Sequence, residues 1–319
     1  MNEIRIATAN DFTFDQPGYR ALFGIGTFAR LREEVERLSV KRPLFICTPG
    51  RRKDAEQAAM NLTGMAATVH AEAVMHVPVE TVTAASDVAR QHKADNVIAF
   101  GGGSAIDTSK AVGLQLGLPI IAIPTTYGGS EVTPFYGYTE DRIKKGRRDR
   151  KMLPKSVIYD PALTLSLPTK ISGSSGMNAI AHCVEGLYAP NANPVMSLLA
   201  TEGIRVLARS LPSVVQEPSN LNARTDALYG AWLAGMVLGS VDMALPSQHQ
   251  PCSGRHISTF ACGRAHGDSA ARRSIQSSGR TGSAGSRRRS SWRASRRAGP
   301  VRSRGQHRSP HIAQADRNA

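Results

Sequence analysis

The last quarter of this chain has no lysine and no glutamate. From residue 246 to 319 there are 15 arginines and only two acids, Asp268 and Asp316. The formal net charge of +15 therefore sits almost wholly in that tail, because residues 1–245 carry 25 basic against 23 acidic side chains. A basic protein is a candidate for nucleic acid by charge alone. Here the first three-quarters is nearly neutral, and the tail has no aromatic interleaving beyond Trp292. Nucleic-acid binding through the arginine-rich tail stays an alternative reading, and a natural basic arm would mix lysine with arginine.

Other absences narrow the class. Four cysteines in 319 residues form no disulfide framework. The first residues, MNEIRIATAND, lack an apolar stretch of the signal-peptide kind, so none is expected. The uncharged run 227–241 is too short for a membrane span and reads as a buried helix. A reducing, cytoplasmic setting without membrane contact is the expectation. No internal repeat is visible outside the tail.

What is present is an alternation of short apolar runs with amphipathic stretches. Residues 44–47, 96–100, 119–124 and 156–160 read as buried strands. Residues 27–38, 55–62, 81–91 and 104–116 carry apolar side chains at helical spacing. Strands alternating with helices imply a mainly parallel sheet covered on its faces. Residues 132–151, with Phe135, Tyr136 and Tyr138 before a charged turn, read as a protruding hairpin. From residue 167 the pattern is helical, at 174–188, 196–208 and 223–245. The expected organisation is α/β plus all-α. It comprises a Rossmann-like dinucleotide-binding domain over 1–161, a partial helical substrate domain over 162–245, and a tail over 246–319 expected to be disordered and non-native.

The chemistry starts at Gly101-Gly102-Gly103-Ser104, between a strand and a helix. Glycines let the backbone approach a pyrophosphate, and the helix N-terminus supplies free N–H groups and a positive dipole. Asp107 lies one turn on. Thr125 and Thr126 end the next strand and reach the same crevice at the strand C-termini, with Ser130 just beyond. At the end of the earlier strand, where many dinucleotide enzymes place an acid on the ribose, stands Thr48. With no carboxylate to repel a 2′-phosphate, weak discrimination between NADH and NADPH is expected, although Thr48 reads equally well as a turn residue.

Asn178, His182 and Glu185 recur at i, i+4 and i+7 on one helix face. A metal site would want a carboxylate at 178, and the chain offers an amide. Lys144, Lys145, Arg147, Arg148, Arg150 and Lys151 cluster on the hairpin and its exit. Most read as a solvated turn, with one or two facing a cleft. The tail holds His249, Cys252, His256, Cys262 and His266, in a spacing that matches no closed zinc pattern.

Taken together, several of these segments resemble the iron-containing alcohol dehydrogenase superfamily, and its maleylacetate reductase branch in particular. They are Phe23-Gly24-Ile25-Gly26, the Gly101–Ser104 turn, Pro124-Thr125-Thr126-Tyr127-Gly128-Gly129-Ser130-Glu131, Val157-Ile158-Tyr159-Asp160-Pro161, Asn178-Ala179-Ile180-Ala181-His182 with Glu185, and Asp226-Ala227-Leu228-Tyr229-Gly230-Ala231-Trp232-Leu233. The resemblance covers about residues 14–245. It implies a dehydroquinate-synthase-like fold and reduction of maleylacetate, including chloro-substituted forms, to 3-oxoadipate by NADH or NADPH in aromatic catabolism. It also implies a small dicarboxylate substrate and a homodimer.

On this reading Gly101, Gly102, Gly103, Ser104 and Asp107 hold the pyrophosphate and ribose side, with Thr48 at the second strand end. Thr125, Thr126 and Ser130 line the nicotinamide side. His182 and Asn178 are the candidate catalytic pair. Metal-dependent relatives carry Asp where this chain has Asn178, so no metal is expected. A metal-dependent alcohol or polyol dehydrogenase is the alternative within the same fold.

The resemblance stops at Leu245, where the family continues with histidine-rich helical sequence and this chain turns to the arginine-rich tail. A reading-frame slip near Leu245 is the expected origin. The helices at 196–208 and 223–245 are then expected to lose packing partners, with low solubility and little or no reductase activity as the consequence.

Overall fold

The computed structural model describes residues 12, 14 and 18–242. The expected slip at Leu245 and everything foreseen for the tail lie outside these residues. Six strands form one sheet in the order β1-β8-β5-β4-β2-β3, every pair parallel. They are β1 (Arg20–Phe23), β2 (Pro43–Ile46), β3 (Thr68–His70), β4 (Asn96–Gly101), β5 (Ile120–Pro124) and β8 (Ser156–Tyr159). Every residue of β2, β4, β5 and β8 is buried, as continuous apolar runs demand when a sheet is covered on both faces.

Alternation along the strands sorts the core. Phe45, Ile98, Phe100, Ile121, Ile123 and Ile158 point to the face covered by α1 (Leu31–Arg37) and α2 (Arg52–Met60). Leu44, Ile46 and Val97 point the other way, against α3 (Val79–Gln91) and α4 (Gly103–Leu116). α3 buries Val82, Ala85, Ser86 and Ala89, the i, i+3, i+4, i+7 stripe of an amphipathic helix. Farther along that second face, Ala99, Ala122, Val157 and Tyr159 share one core with three longer helices: α5 (Thr169–Leu187), α6 (Pro194–Gln216) and α7 (Leu221–Ser240). The hairpin of β6 (Phe135–Glu140) and β7 (Ile143–Arg148) stands apart as its own antiparallel pair.

The structure corrects the sequence expectation in four places. Two edge strands, β1 and β3, are too short and too exposed to stand out. β1 is buried only at Leu22, and β3 is three residues long. α6 runs to Gln216, past the expected end at residue 208 and through Pro212. Its apolar stripe continues with buried Leu211 and Val214, and that burial outweighs the hydrogen bond proline cannot make.

α7 starts and stops earlier than expected. The Asn220 side chain caps it by accepting from Ala223 N at 3.0 Å, and the extended Val241 follows its end. Finally, the exposed apolar surface is wider than expected. α6 leaves Val195, Leu198 and Val215 exposed while burying Met196, Ala200, Val206 and Leu207, and α7 is exposed only at the polar Asn222 and Asp226. α5, for which no such loss was expected, also leaves Met177, Val184 and Leu187 exposed.

Candidate active site

The carboxyl end of β4 turns into α4 within three glycines, and the fold requires the first two for different reasons. Gly101 has φ +148°, in the region L side chains avoid. At Gly102 a Cβ would lie 2.8 Å from Thr126 Cγ2, so the turn and the end of β5 can pack only without one. At Gly103 a Cβ would meet nothing within 4 Å, which leaves open space over the first turn of α4. No side chain caps that helix, so its first N–H groups face this space without an internal partner. Thr125 N donates to Gly101 O at 3.0 Å and holds the two strand ends together.

A cavity of about 220 Å³ opens here. Gly103, Ser104 and Asp107 line one wall, and His76, Lys144 and Lys145 line others. Positive charge thus converges on an open helix N-terminus, an arrangement suited to a phosphate. Lys145 is also paired with Glu140 on the hairpin. His76 and Val77 sit at φ +67° and +47°, and a β-branched residue there is strained. The hairpin fixes both residues. Thr139 Oγ1 donates to His76 O at 2.9 Å, and Thr139 N donates to Val77 O at 3.0 Å. This loop did not stand out in the sequence, because an exposed histidine before a proline carries no periodic signal.

Asp107 and Ser130 have partners within the protein that the sequence did not reveal. Asp107 borders the cavity, but both its oxygens are engaged by the hairpin side. Ser130 Oγ donates to Oδ1 at 2.6 Å and Gly137 N donates to Oδ2 at 3.2 Å. Ser130 therefore turns its hydroxyl to Asp107. The fully buried Lys110 completes the knot. Its Nζ donates to Ser130 O, to Ser130 Oγ at 3.1 Å, to Thr133 Oγ1 at 2.9 Å and to Phe135 O at 2.7 Å. Burial pushes the Asp107 carboxyl up, against the pull of Lys110 and its two donors, and pushes Lys110 down to about 8. Next in sequence, Glu131 is 1% exposed. Tyr159 Oη donates to its Oε1 at 3.0 Å, Oε2 has no partner, and burial raises the carboxyl to about 7.

The loop after β5 carries the helical layer. Gly129, at φ +80°, lies so close to α7 that a Cβ there would sit 2.9 Å from Gly235 Cα. Backbone meets backbone at this crossing. Tyr127 N approaches Ser175 Oγ of α5 at 3.4 Å, and the buried Arg224 of α7 donates to Tyr127 Oη at 3.2 Å. One and two turns beyond Ser175, on α5, come Asn178 and His182. Asn178 Nδ2 and His182 Nε2 are 2.9 Å apart. An amide donating to Nε2 places the imidazole proton on Nδ1, which is buried and without a partner. Burial lowers His182 to about 4, so the ring is neutral at physiological pH. A neutral imidazole can orient a substrate but is a poor source of a proton, which limits the role foreseen for it. Among the described residues no three or more His, Cys, Asp or Glu side chains are grouped to hold a metal. Nor is any described helix long and apolar enough to cross a membrane.

A glycine turn at the carboxyl edge of a parallel sheet, roofed by a helical layer, defines a dinucleotide-dependent oxidoreductase. The comparisons with known proteins agree. The family model described as iron-containing alcohol dehydrogenase matches residues 18–161, and the C-terminal model of the same family matches residues 172–252. Maleylacetate reductase from Sphingobium indicum is 51% identical over 241 residues, which is 76% of this chain and 68% of the relative. The crystal structure of maleylacetate reductase from Rhizobium sp. strain MTP-10005 superposes with a TM-score of 0.72 at 45% identity, over 74% of this chain and 67% of that one. Sulfoacetaldehyde reductase from Bifidobacterium kashiwanohense, solved in complex with NAD+, matches with a TM-score of 0.69 at 26% identity, over 74% and 69% of the two chains. The chain belongs to the iron-containing alcohol dehydrogenase family.

Proposed function

We propose that this site is that of a maleylacetate reductase, which reduces maleylacetate and its chloro-substituted forms to 3-oxoadipate with NADH or NADPH. The observation that carries the reading is the Asn178–His182 pair on α5, the helix that meets the loop after β5 through Ser175. A metal site built on this helix face would want a carboxylate at residue 178 beside His182. Residue 178 is an amide, and it already occupies the Nε2 of its nearest imidazole. The described donor set therefore does not fit a metal, and the proposed reaction has no metal-dependent step. That donor set also disfavours the alternative of a metal-dependent alcohol or polyol dehydrogenase.

The residues present do fit a dinucleotide. Backbone N–H groups at Gly103 and Ser104 would hold its pyrophosphate, and Thr125 and Thr126 would flank the nicotinamide side. When bound, the reduced nicotinamide supplies the hydride. Lys144 lines the same cavity and would favour an anionic group there, while Lys145 is paired with Glu140. His182, neutral and held through Nε2 by Asn178, would help to orient the substrate rather than protonate it. The homodimer and the cytoplasmic setting rest on the resemblance of the sequence to the family.

The test separates binding from turnover. Quenching of protein fluorescence should show NADH binding, because the turn and cavity are complete. Turnover, followed as loss of NADH absorbance with maleylacetate, should fall well below that of the relatives, because the match ends at about two-thirds of their length. Whatever turnover there is should be indifferent to chelator and to added iron. Absence of NADH binding would sink the reading, and chelator-sensitive turnover would restore the metal-dependent alternative.

A further inference from the structure

The carboxyl end of β2 lies one strand over from the glycine turn. Ile46 pairs in parallel with Ala99, so Thr48, two residues on, stands level with Gly101. In a doubly wound sheet this strand end receives the adenosine ribose. A carboxylate there bonds the 2′-hydroxyl and repels a 2′-phosphate, whereas a nearby arginine accepts the phosphate. Thr48 is extended, and its side chain caps nothing.

Three cations follow Thr48 and differ in what they are free to do. Arg51 is already engaged, donating to Asp54 at 2.9 Å and to Leu163 O at 3.2 Å. Arg52 is exposed and is held only by an i,i+4 ion pair with Glu56 at 3.7 Å, too long for a hydrogen bond and weak at an exposed site. Lys53, also exposed, makes no ion pair among the described residues. Arg52 is the first residue of α2, directly after the Pro49–Arg51 turn that follows Thr48, so it opens the helix at this strand end. Its charge works against the burial that raises the Cys47 thiol and with the burial that lowers His70 at the end of β3. Glu72, which opposes it at His70, follows β3 and so lies one strand farther from the turn.

We infer that Arg52, with Lys53 beside it, receives the 2′-phosphate of NADPH and makes the site select NADPH over NADH. This rests on the dinucleotide reading above, and it replaces the weak discrimination expected from Thr48 alone with a directed preference. The adenosine end is built entirely from described residues, so the test does not depend on turnover.

The probes are 2′,5′-ADP and 5′-AMP, which differ only in the 2′-phosphate, titrated calorimetrically into the full chain. 2′,5′-ADP should bind at least about tenfold more tightly, as expected for one charge-assisted phosphate contact. Arg52→Gln should remove most of that advantage while leaving 5′-AMP unchanged, and adding Lys53→Gln should remove the rest. Arg90→Gln, an exposed arginine on α3, should change neither. Equal affinity for the two nucleotides, or equal loss of both in Arg52→Gln, would overturn the inference while leaving the dinucleotide site intact. If the chain binds neither nucleotide nor NADH, the dinucleotide reading itself fails and takes the inference with it.

Discussion

Asp107 and Lys110, three residues apart on α4, meet through a single hydroxyl. Ser130 Oγ donates to Asp107 Oδ1 at 2.6 Å and accepts from Lys110 Nζ at 3.1 Å. The helix whose N-terminus faces the cavity thereby grips the base of the hairpin that brings Lys144 and Lys145 to the same cavity. A buried pair of this kind is costly to break from one side, because the remaining charge has no water to turn to.

Lys110→Met should therefore destabilise the protein by about 3–5 kcal/mol. Thr133→Val, which removes one of the acceptors around Nζ, should cost only about 1 kcal/mol. Urea unfolding of the two variants measures the difference, and equal losses would mean that Lys110 is held mainly by packing.

The glycine turn makes a sharper pair of predictions. Gly102→Ala forces its Cβ against Thr126, so both stability and NADH affinity should fall. Gly103→Ala meets no protein atom, and its stability should stay within about 0.5 kcal/mol of the parent or rise slightly. Its NADH affinity should nonetheless drop about tenfold or more, because the methyl occupies space kept for the pyrophosphate. Thermal melts and fluorescence titration on the two variants separate the structural glycine from the binding one.

Glu131 should imprint a pH dependence on stability. Its folded carboxyl is raised to about 7 from 4.5, so the folded state holds its proton more tightly than the unfolded chain does. The contribution is fully present below about pH 4.5 and is lost as pH rises through about 7. Glu131→Gln should look more stable relative to the parent at pH 8 than at pH 5. Urea midpoints at the two pH values check the sign.

His182 has the opposite sign. Its folded value is lowered to about 4 from 6.5, so its contribution is present above about 6.5 and is lost as pH falls toward 4. Asn178→Asp places a carboxylate where the amide now meets Nε2, and that should raise the histidine markedly. An NMR titration of the ring carbons, assigned with His182→Gln, should show no protonation above pH 6 in the parent and a clear upward shift in the Asp variant.

Much of this protein was legible along the chain. The central strands announce themselves because a strand covered on both faces is buried along its length, and β4 is apolar from Val97 onward and β5 throughout. The turn 101–104 and the Asn178/His182 spacing are local, and residues close in sequence keep their geometry wherever the fold puts them. The edge strands β1 and β3 were hidden, since half-exposed edges carry little pattern. Where α6 and α7 end is decided by what they pack against.

The sequence by itself determined the class of sheet, the cofactor turn and the amide where a metal ligand would stand, because each is written in a few consecutive residues. Only the tertiary structure decided that Asp107 and Ser130 serve the hairpin through Lys110, that Gly129 and Gly235 bring backbones together, and that His182 is neutral. Those depend on burial and on partners tens to a hundred residues away, and a side chain's charge and hydrogen bonds follow the environment the fold closes around it.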